Sequence, residues 1–177
     1  WTLFHLTAPF WRGRSLWQPY LLAFVVLSVT ASISWTSRTH LVGADLGTAW
    51  WLILPGLVIY VAALWADRCV RRHLTFAIFA GVPELAGTKA PLLDIGPFAV
   101  VRHPRYALVL VATAGWALAA NWSGAYLVSA ICGAALVAVT WLEERDLRTR
   151  FGVAYDDYAA RVPMLVPRPA DVPRFFE

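Results

Sequence analysis

Three residues, Asn121-Trp122-Ser123, stand between two long apolar runs, about 105–121 and 124–142. A link that short forces two consecutive helices into an antiparallel hairpin. Both open ends of that hairpin are polar. The stretch Gly96-Pro97-Phe98-Ala99-Val100-Val101-Arg102-His103-Pro104-Arg105-Tyr106 leads in, and Glu143-Glu144-Arg145-Asp146 leads out. The fold-back therefore returns Glu143 to the side of His103. Ionisable clusters at the ends of apolar segments are costly unless they pair or share a solvated site.

The runs belong to a chain of 177 residues in which 59% are hydrophobic and 15% charged, against about 45–50% and about 25% in soluble domains. Ten tryptophans add the aromatic signature of membrane interfaces. The reading is a single integral membrane domain, residues 1–177, all-α. The net charge of +4 does not point to nucleic acid, because the arginines sit at the ends of apolar segments, where they anchor to anionic headgroups. Two cysteines, Cys69 and Cys132, are too few for a disulfide framework and read as free, buried thiols.

Residues 1–17 mix Trp, Phe and Leu with Arg12 and Arg14 and read as an interfacial segment or a frayed end. The chain opens on Trp1, which leaves room for preceding native residues. The first apolar run lacks a small-residue cleavage site followed by a soluble domain, so it reads as a span rather than a removed leader. Four transmembrane helices are expected, at about 19–35, 49–66, 105–121 and 124–142. Pro19 and Pro104 suit first helical turns. Pro55-Gly56 predicts a kink in the second span, and Asp67-Arg68-Cys69-Val70-Arg71-Arg72-His73 marks its exit from the membrane. Residues 74–82 are apolar but too few to cross, and read as a continuation of the second helix or an interfacial segment, followed by a loop. Small residues from Gly124 to Ala138 suit close packing of the fourth span against a neighbour. Beyond it lies a helical tail, 143–177, with a break at Gly152, a short helix over 154–161, and Val162-Pro163 ending regular structure.

Of the 15 basic residues only Arg38 falls beside the opposite set of helix ends. The asymmetry puts both termini and both polar clusters in the cytoplasm. The arginine-rich, lysine-poor balance is that of a GC-rich genome, so the expected setting is a bacterial inner membrane.

The clusters themselves support two readings. Arg102 and Arg105 are headgroup anchors and His103 a helix cap, or these groups line a polar pocket at the cytoplasmic mouth of the bundle. The arginines could also pair directly with Glu143 and Glu144, and spacing does not separate these cases. His5, His40, His73 and His103 show no metal-ligand spacing, and no phosphate loop, nucleophile elbow or Cys-x-x-Cys motif occurs.

Taken together, Gly96-Pro97-Phe98, Val101-Arg102-His103-Pro104-Arg105-Tyr106, Glu143-Glu144-x-x-Leu147, Phe151-Gly152-x-x-Tyr155-x-x-Tyr158 and Val162-Pro163 resemble the isoprenylcysteine carboxyl methyltransferase and phospholipid methyltransferase superfamily. The match covers roughly residues 90–168. The resemblance implies a membrane-embedded methyltransferase using S-adenosylmethionine. It maps the cofactor pocket onto Ala90, Leu92, Leu93, Phe98, Arg102, His103, Pro104, Tyr106, Glu143 and Glu144, with His103, Arg102 and Glu143 as catalytic candidates. A glutamate suits the cofactor's ammonium or ribose, an arginine its carboxylate, and aromatic faces its sulfonium or adenine.

Prenylcysteine enzymes carry an arginine one turn before the glutamate pair; here that position is Val139. The departure shifts the expected acceptor from a prenylcysteine carboxylate towards a lipid amine, a small thiol or another apolar molecule. The expected partners are membrane lipids and that acceptor, with no obligatory protein partner evident. Two rivals remain: a sterol-reductase-like enzyme binding NADPH, whose second motif carries His-Arg in place of Glu143-Glu144, and a non-catalytic membrane subunit that keeps the fold.

Overall fold

The computed structural model describes residues 17–37, 42–74 and 92–176. Residues 1–16 of the expected interfacial segment 1–17, residues 75–82 of the apolar stretch 74–82, and Ala90 lie outside them. The described chain is helical, with no strand among the described residues. Two compact units divide it, one of residues 1–41 and 74–91 and one of residues 42–73 and 92–177.

The first unit contributes helix α1 (Trp17–Thr36), apolar all round and nearly unburied, with Pro19 in its first turn. It matches the span expected over 19–35, extended slightly at both ends. The second unit holds α2 (Trp50–Arg72), the short α3 (Pro97–Val100), α4 (Pro104–Ala120), α5 (Ser123–Phe151), α6 (Val153–Arg161) and a 3-10 segment, Pro169–Phe176.

α1, α2 and α5 are long and apolar enough to cross a membrane. α4 has 17 residues, about 26 Å at 1.5 Å per residue, slightly under a hydrocarbon core of about 30 Å. By length, three of the four expected spans qualify and the fourth is a shorter apolar helix. α2 runs unbroken through Pro55 and continues past the expected exit at residue 66. The added turn is held by Asp67, which accepts from Arg71 Nε at 2.6 Å, and by the fully buried Val70. Arg71 and Arg72 then sit where the helix dipole favours cations.

The hairpin is as tight as the link demanded. Asn121 ends α4 in the left-handed region (φ 50°), and α5 starts two residues on. The 42–49 loop locks that turn: Asn121 Nδ2 donates to the Gly47 carbonyl at 2.7 Å, Ser123 N to the Ala44 carbonyl at 3.0 Å, and Ala44 N to Ser123 Oγ at 2.8 Å.

The closest helix contact lies between α2 and α4. A Cβ on Gly56 would fall 2.7 Å from the Gly115 carbonyl oxygen, and one on Gly115 2.7 Å from Tyr60 N. These glycines let two backbones meet, as small residues do in membrane helices. The small residues of α5 pack along its first half: Gly124 and Ala125 are buried, Ser129 Oγ donates to the Thr113 carbonyl of α4 at 3.0 Å, and Gly133 is half-buried, while Ala130, Ala134, Ala135 and Ala138 are exposed. The thiols are free as expected, but Cys69 is half-buried and Cys132 exposed rather than buried.

α5 itself is one rod of 29 residues that carries Glu143 and Glu144 out of the apolar run without a break. It stops at Gly152 (φ 58°), where α6 begins.

Candidate functional site at the open end of the hairpin

The entry loop is bent before it reaches the histidine. Gly96 takes φ 55°, and a Cβ there would meet the His73 ring at 2.5 Å. Only glycine fits both conditions. α3 then makes one turn, and Val101 is extended. The next two amides leave the helical pattern and pair with the segment after α6: Arg102 N donates to the Pro163 carbonyl at 2.9 Å and His103 N to that of Met164 at 3.1 Å. Val162-Pro163 ends α6 so that this extended segment can run alongside. Pro104 starts α4, where its missing amide costs nothing.

Fixed this way, Arg102 and His103 converge on Glu144. Arg102 donates through Nε to Oε1 at 2.8 Å and through Nη2 to Oε2 at 3.1 Å, a bidentate pair. Its Nη1 donates to the carbonyls of Ala159 and Val162 at 2.8 and 2.6 Å, at the C-terminal end of α6 where a cation is favoured. His103 Nε2 lies 2.9 Å from Glu144 Oε1, Tyr155 donates its hydroxyl to the same oxygen at 2.7 Å, and Arg148 Nη2 reaches Oε2 at 3.3 Å from one turn along α5. Every contact to this carboxylate is a donor, and Glu144 is only 4% exposed. A buried carboxylate set among donors, two of them cationic, is an anion whose desolvation is offset by its partners.

Glu143 is placed differently. Its Oε2 lies 3.7 Å from His103 Nδ1, and its side chain keeps 15% exposure. The His103 ring stacks on Tyr106 at 5.7 Å. Arg105 turns to α2, with Nε 3.7 Å from Asp67 Oδ1. Of the two arginines whose partners the sequence left open, Arg102 pairs with Glu144 and Arg105 faces Asp67.

A tyrosine pair on α6 closes the other flank. Tyr155 and Tyr158 pack edge to face at 5.8 Å, in a cluster with Val162, Leu92, Leu147 and Phe151. Tyr158 donates to the Phe98 carbonyl at 2.6 Å, tying α6 to α3. Burial holds both phenols protonated well above their ordinary range; for Tyr155 the hydrogen bond to Glu144 and its negative charge add to the effect.

Of the predicted pocket residues, the structure brings together Arg102, His103, Tyr106, Glu143 and Glu144, with Pro104 buried beneath them and Phe98 half-buried on α3. Leu92 packs against the tyrosines, and Leu93 is half-buried beside it in the chain. Tyr155, Tyr158 and Arg148 had no assigned role. Their signal was spacing: Arg148 follows Glu144 by one helical turn, and Tyr155-x-x-Tyr158 puts two aromatics on one face.

No protein-family profile matches the chain, and no solved structure matches it. Among characterised proteins, methanethiol S-methyltransferase 2 of Bradyrhizobium diazoefficiens is 40% identical over 95 residues, 52% of this chain and 34% of that protein. A methanethiol S-methyltransferase of a Pseudomonas species is 33% identical over 87 residues, 49% of this chain and 31% of that protein. The matched stretch spans about a third of the length of each relative. The methyltransferase resemblance read from the motifs is thus borne out as homology: over about half its length the chain is related to proteins named methanethiol S-methyltransferase.

Proposed function

We propose that this chain is an S-adenosylmethionine-dependent methyltransferase that acts on a small apolar acceptor, a thiol before an amine or a carboxylate, at the cytoplasmic face of a bacterial inner membrane. The observation that carries the reading is the division between the two glutamates. Glu144 spends both oxygens on Arg102, His103, Tyr155 and Arg148. Glu143, next to it on α5, presents a carboxylate beside an imidazole and an aromatic ring.

That donor set fits the proposed cofactor. Its sulfonium and ammonium are cations, suited to the Glu143 carboxylate and the faces of Tyr106 and Phe98. Arg102 is committed to Glu144 and the α6 carbonyls, so its proposed part is to hold the site's shape. When bound, the cofactor supplies an electrophilic methyl group. The chain's task is then alignment for an in-line displacement, where positioning provides most of the acceleration. Val139 in place of an arginine, and the names of the two relatives, favour the thiol among the acceptors.

Calorimetry on the purified protein tests this. S-adenosylmethionine should bind with a Kd on the order of micromolar. Glu143→Gln should weaken binding tenfold or more with the melting temperature held. Glu144→Gln should instead lower stability by about 3–5 kcal/mol, because it strands the buried Arg102 guanidinium. Binding of NADPH with no response to S-adenosylmethionine overturns the assignment.

A further inference from the structure

We propose that Nδ1 of His103 takes the proton from a thiol acceptor, with Glu144 and Tyr155 as positioning residues that fix the imidazole for that role. The inference rests on the methyltransferase reading and deepens it.

The argument begins at the other ring nitrogen. Nε2 lies 2.9 Å from Glu144 Oε1, an oxygen that also receives Arg102 Nε at 2.8 Å and the Tyr155 hydroxyl at 2.7 Å. An ionised carboxylate only accepts, so Nε2 must carry the hydrogen. In the neutral ring that leaves the lone pair on Nδ1. Nδ1 is turned towards Glu143, whose Oε2 at 3.7 Å is beyond hydrogen-bond reach yet close enough to stabilise an imidazolium. The arrangement is a carboxylate that orients a base, with a second carboxylate on the base's other side.

Among the described residues, the charged and titratable groups around the ring come from three elements. Arg102 and Tyr106 come from its own segment, Glu143 and Glu144 from α5, and Tyr155 from α6 acting through Glu144. The segment after α6 contributes the Met164 carbonyl to the His103 amide. Arg102 is drawn to the Glu144 side by its bidentate pair, and Glu143 stands on the Nδ1 side.

A carboxylate acceptor has no proton to lose at neutral pH and needs no such base. A thiol is mostly protonated there, with an ordinary pKa near 8.5, and reacts as the thiolate. The device therefore points to a thiol. The thiol S–H proton passes to Nδ1, and the freed electron pair forms the new S–CH3 bond. The methyl's bond to the donor's sulfonium sulfur breaks, leaving its pair there. The imidazolium beside Glu143 then returns its proton to water.

Two measurements test this. Nitrogen-15 spectra of the histidines, recorded without donor and assigned with His103→Gln, should show His103 as the Nε2–H tautomer when neutral. Tyr155→Phe should move the ring towards a tautomer mixture. For turnover, ethanethiol is compared with the more acidic trifluoroethanethiol. His103→Gln keeps a donor facing Glu144 but has no base at the Nδ1 position. It should lose about 100-fold or more with ethanethiol and less than tenfold with the acidic thiol. Equal losses with both thiols, or an Nδ1–H tautomer, overturn the proposal while leaving the methyltransferase reading intact. Absence of both donor binding and methyl transfer in the unaltered protein sinks that reading itself.

Discussion

The two phenols on α6 carry a stability effect with a definite sign. Tyr155 and Tyr158 are 1% and 3% exposed, and each donates its hydroxyl to an acceptor that a phenolate would repel. Their folded-state pKa values are raised, first by burial. A group with a raised folded-state pKa gives stability that is complete below its unfolded value, about 10 for tyrosine. That stability is lost as pH climbs beyond this value, because only the unfolded chain can release the proton. Lysine adds little in that window, since 14 of the 15 basic residues are arginine, and comparison with Tyr158→Phe separates these phenols from the other tyrosines and the two cysteines. The melting temperature of detergent-solubilised protein should therefore hold to about pH 9.5 and then fall. Tyr158→Phe should flatten that alkaline limb; an unchanged slope rejects the assignment. At this scale the motifs showed which residues mattered more clearly than how they are wired. Adjacent glutamates look alike in sequence, and only the fold assigns Glu144 inward, 42 positions from its arginine partner.

Among the elements, the hairpin and the long α5 follow from local physics: a three-residue link, an unbroken helical run through Glu143-Glu144, and a glycine at residue 152. The α2–α4 contact does not. A helix that is apolar on every side carries no stripe to mark which face meets a neighbour, so Gly56 and Gly115 looked like ordinary small residues. The small residues of α5 drew the packing expectation instead, and Ala130, Ala134, Ala135 and Ala138, half of them, are exposed. The last turns of α2, by contrast, carry charges that meet: Asp67 pairs with Arg71 and faces Arg105. The close approach makes a prediction specific to these two helices. Gly115→Ala puts a methyl group 2.7 Å from Tyr60 N and 2.8 Å from the Gly56 carbonyl, both backbone atoms that cannot swing aside. The substitution should cost about 1–3 kcal/mol. Gly133→Ala is the control, because its added methyl meets only Leu110 Cδ2 at an ordinary 3.5 Å. Equal melting temperatures for the two variants contradict the contact.

For the whole molecule the open question is which side of the membrane holds the site. In the second unit, one end gathers Arg68, Arg71, Arg72, Arg102, Arg105, Arg145, Arg148, Arg150, Arg161, Arg168 and Arg174, together with the Glu144 cluster. The other end, built from the 42–49 loop and the Asn121 turn, holds Asp45 and no basic residue among the described residues. Basic residues beside spans stay in the cytoplasm because they resist translocation. The proposed cofactor is cationic and made in the cytoplasm, so the proposed function requires the same side. Single cysteines in a background lacking Cys69 and Cys132 decide the matter. Thr48 and Arg168 are both exposed and lie at opposite ends of the unit. On cells whose inner membrane is intact, a membrane-impermeant maleimide should label Thr48→Cys and leave Arg168→Cys unlabelled until the membrane is opened. The reverse pattern would place Glu143 and His103 on the outer face, away from the cofactor supply, and the proposed function would fall with the topology.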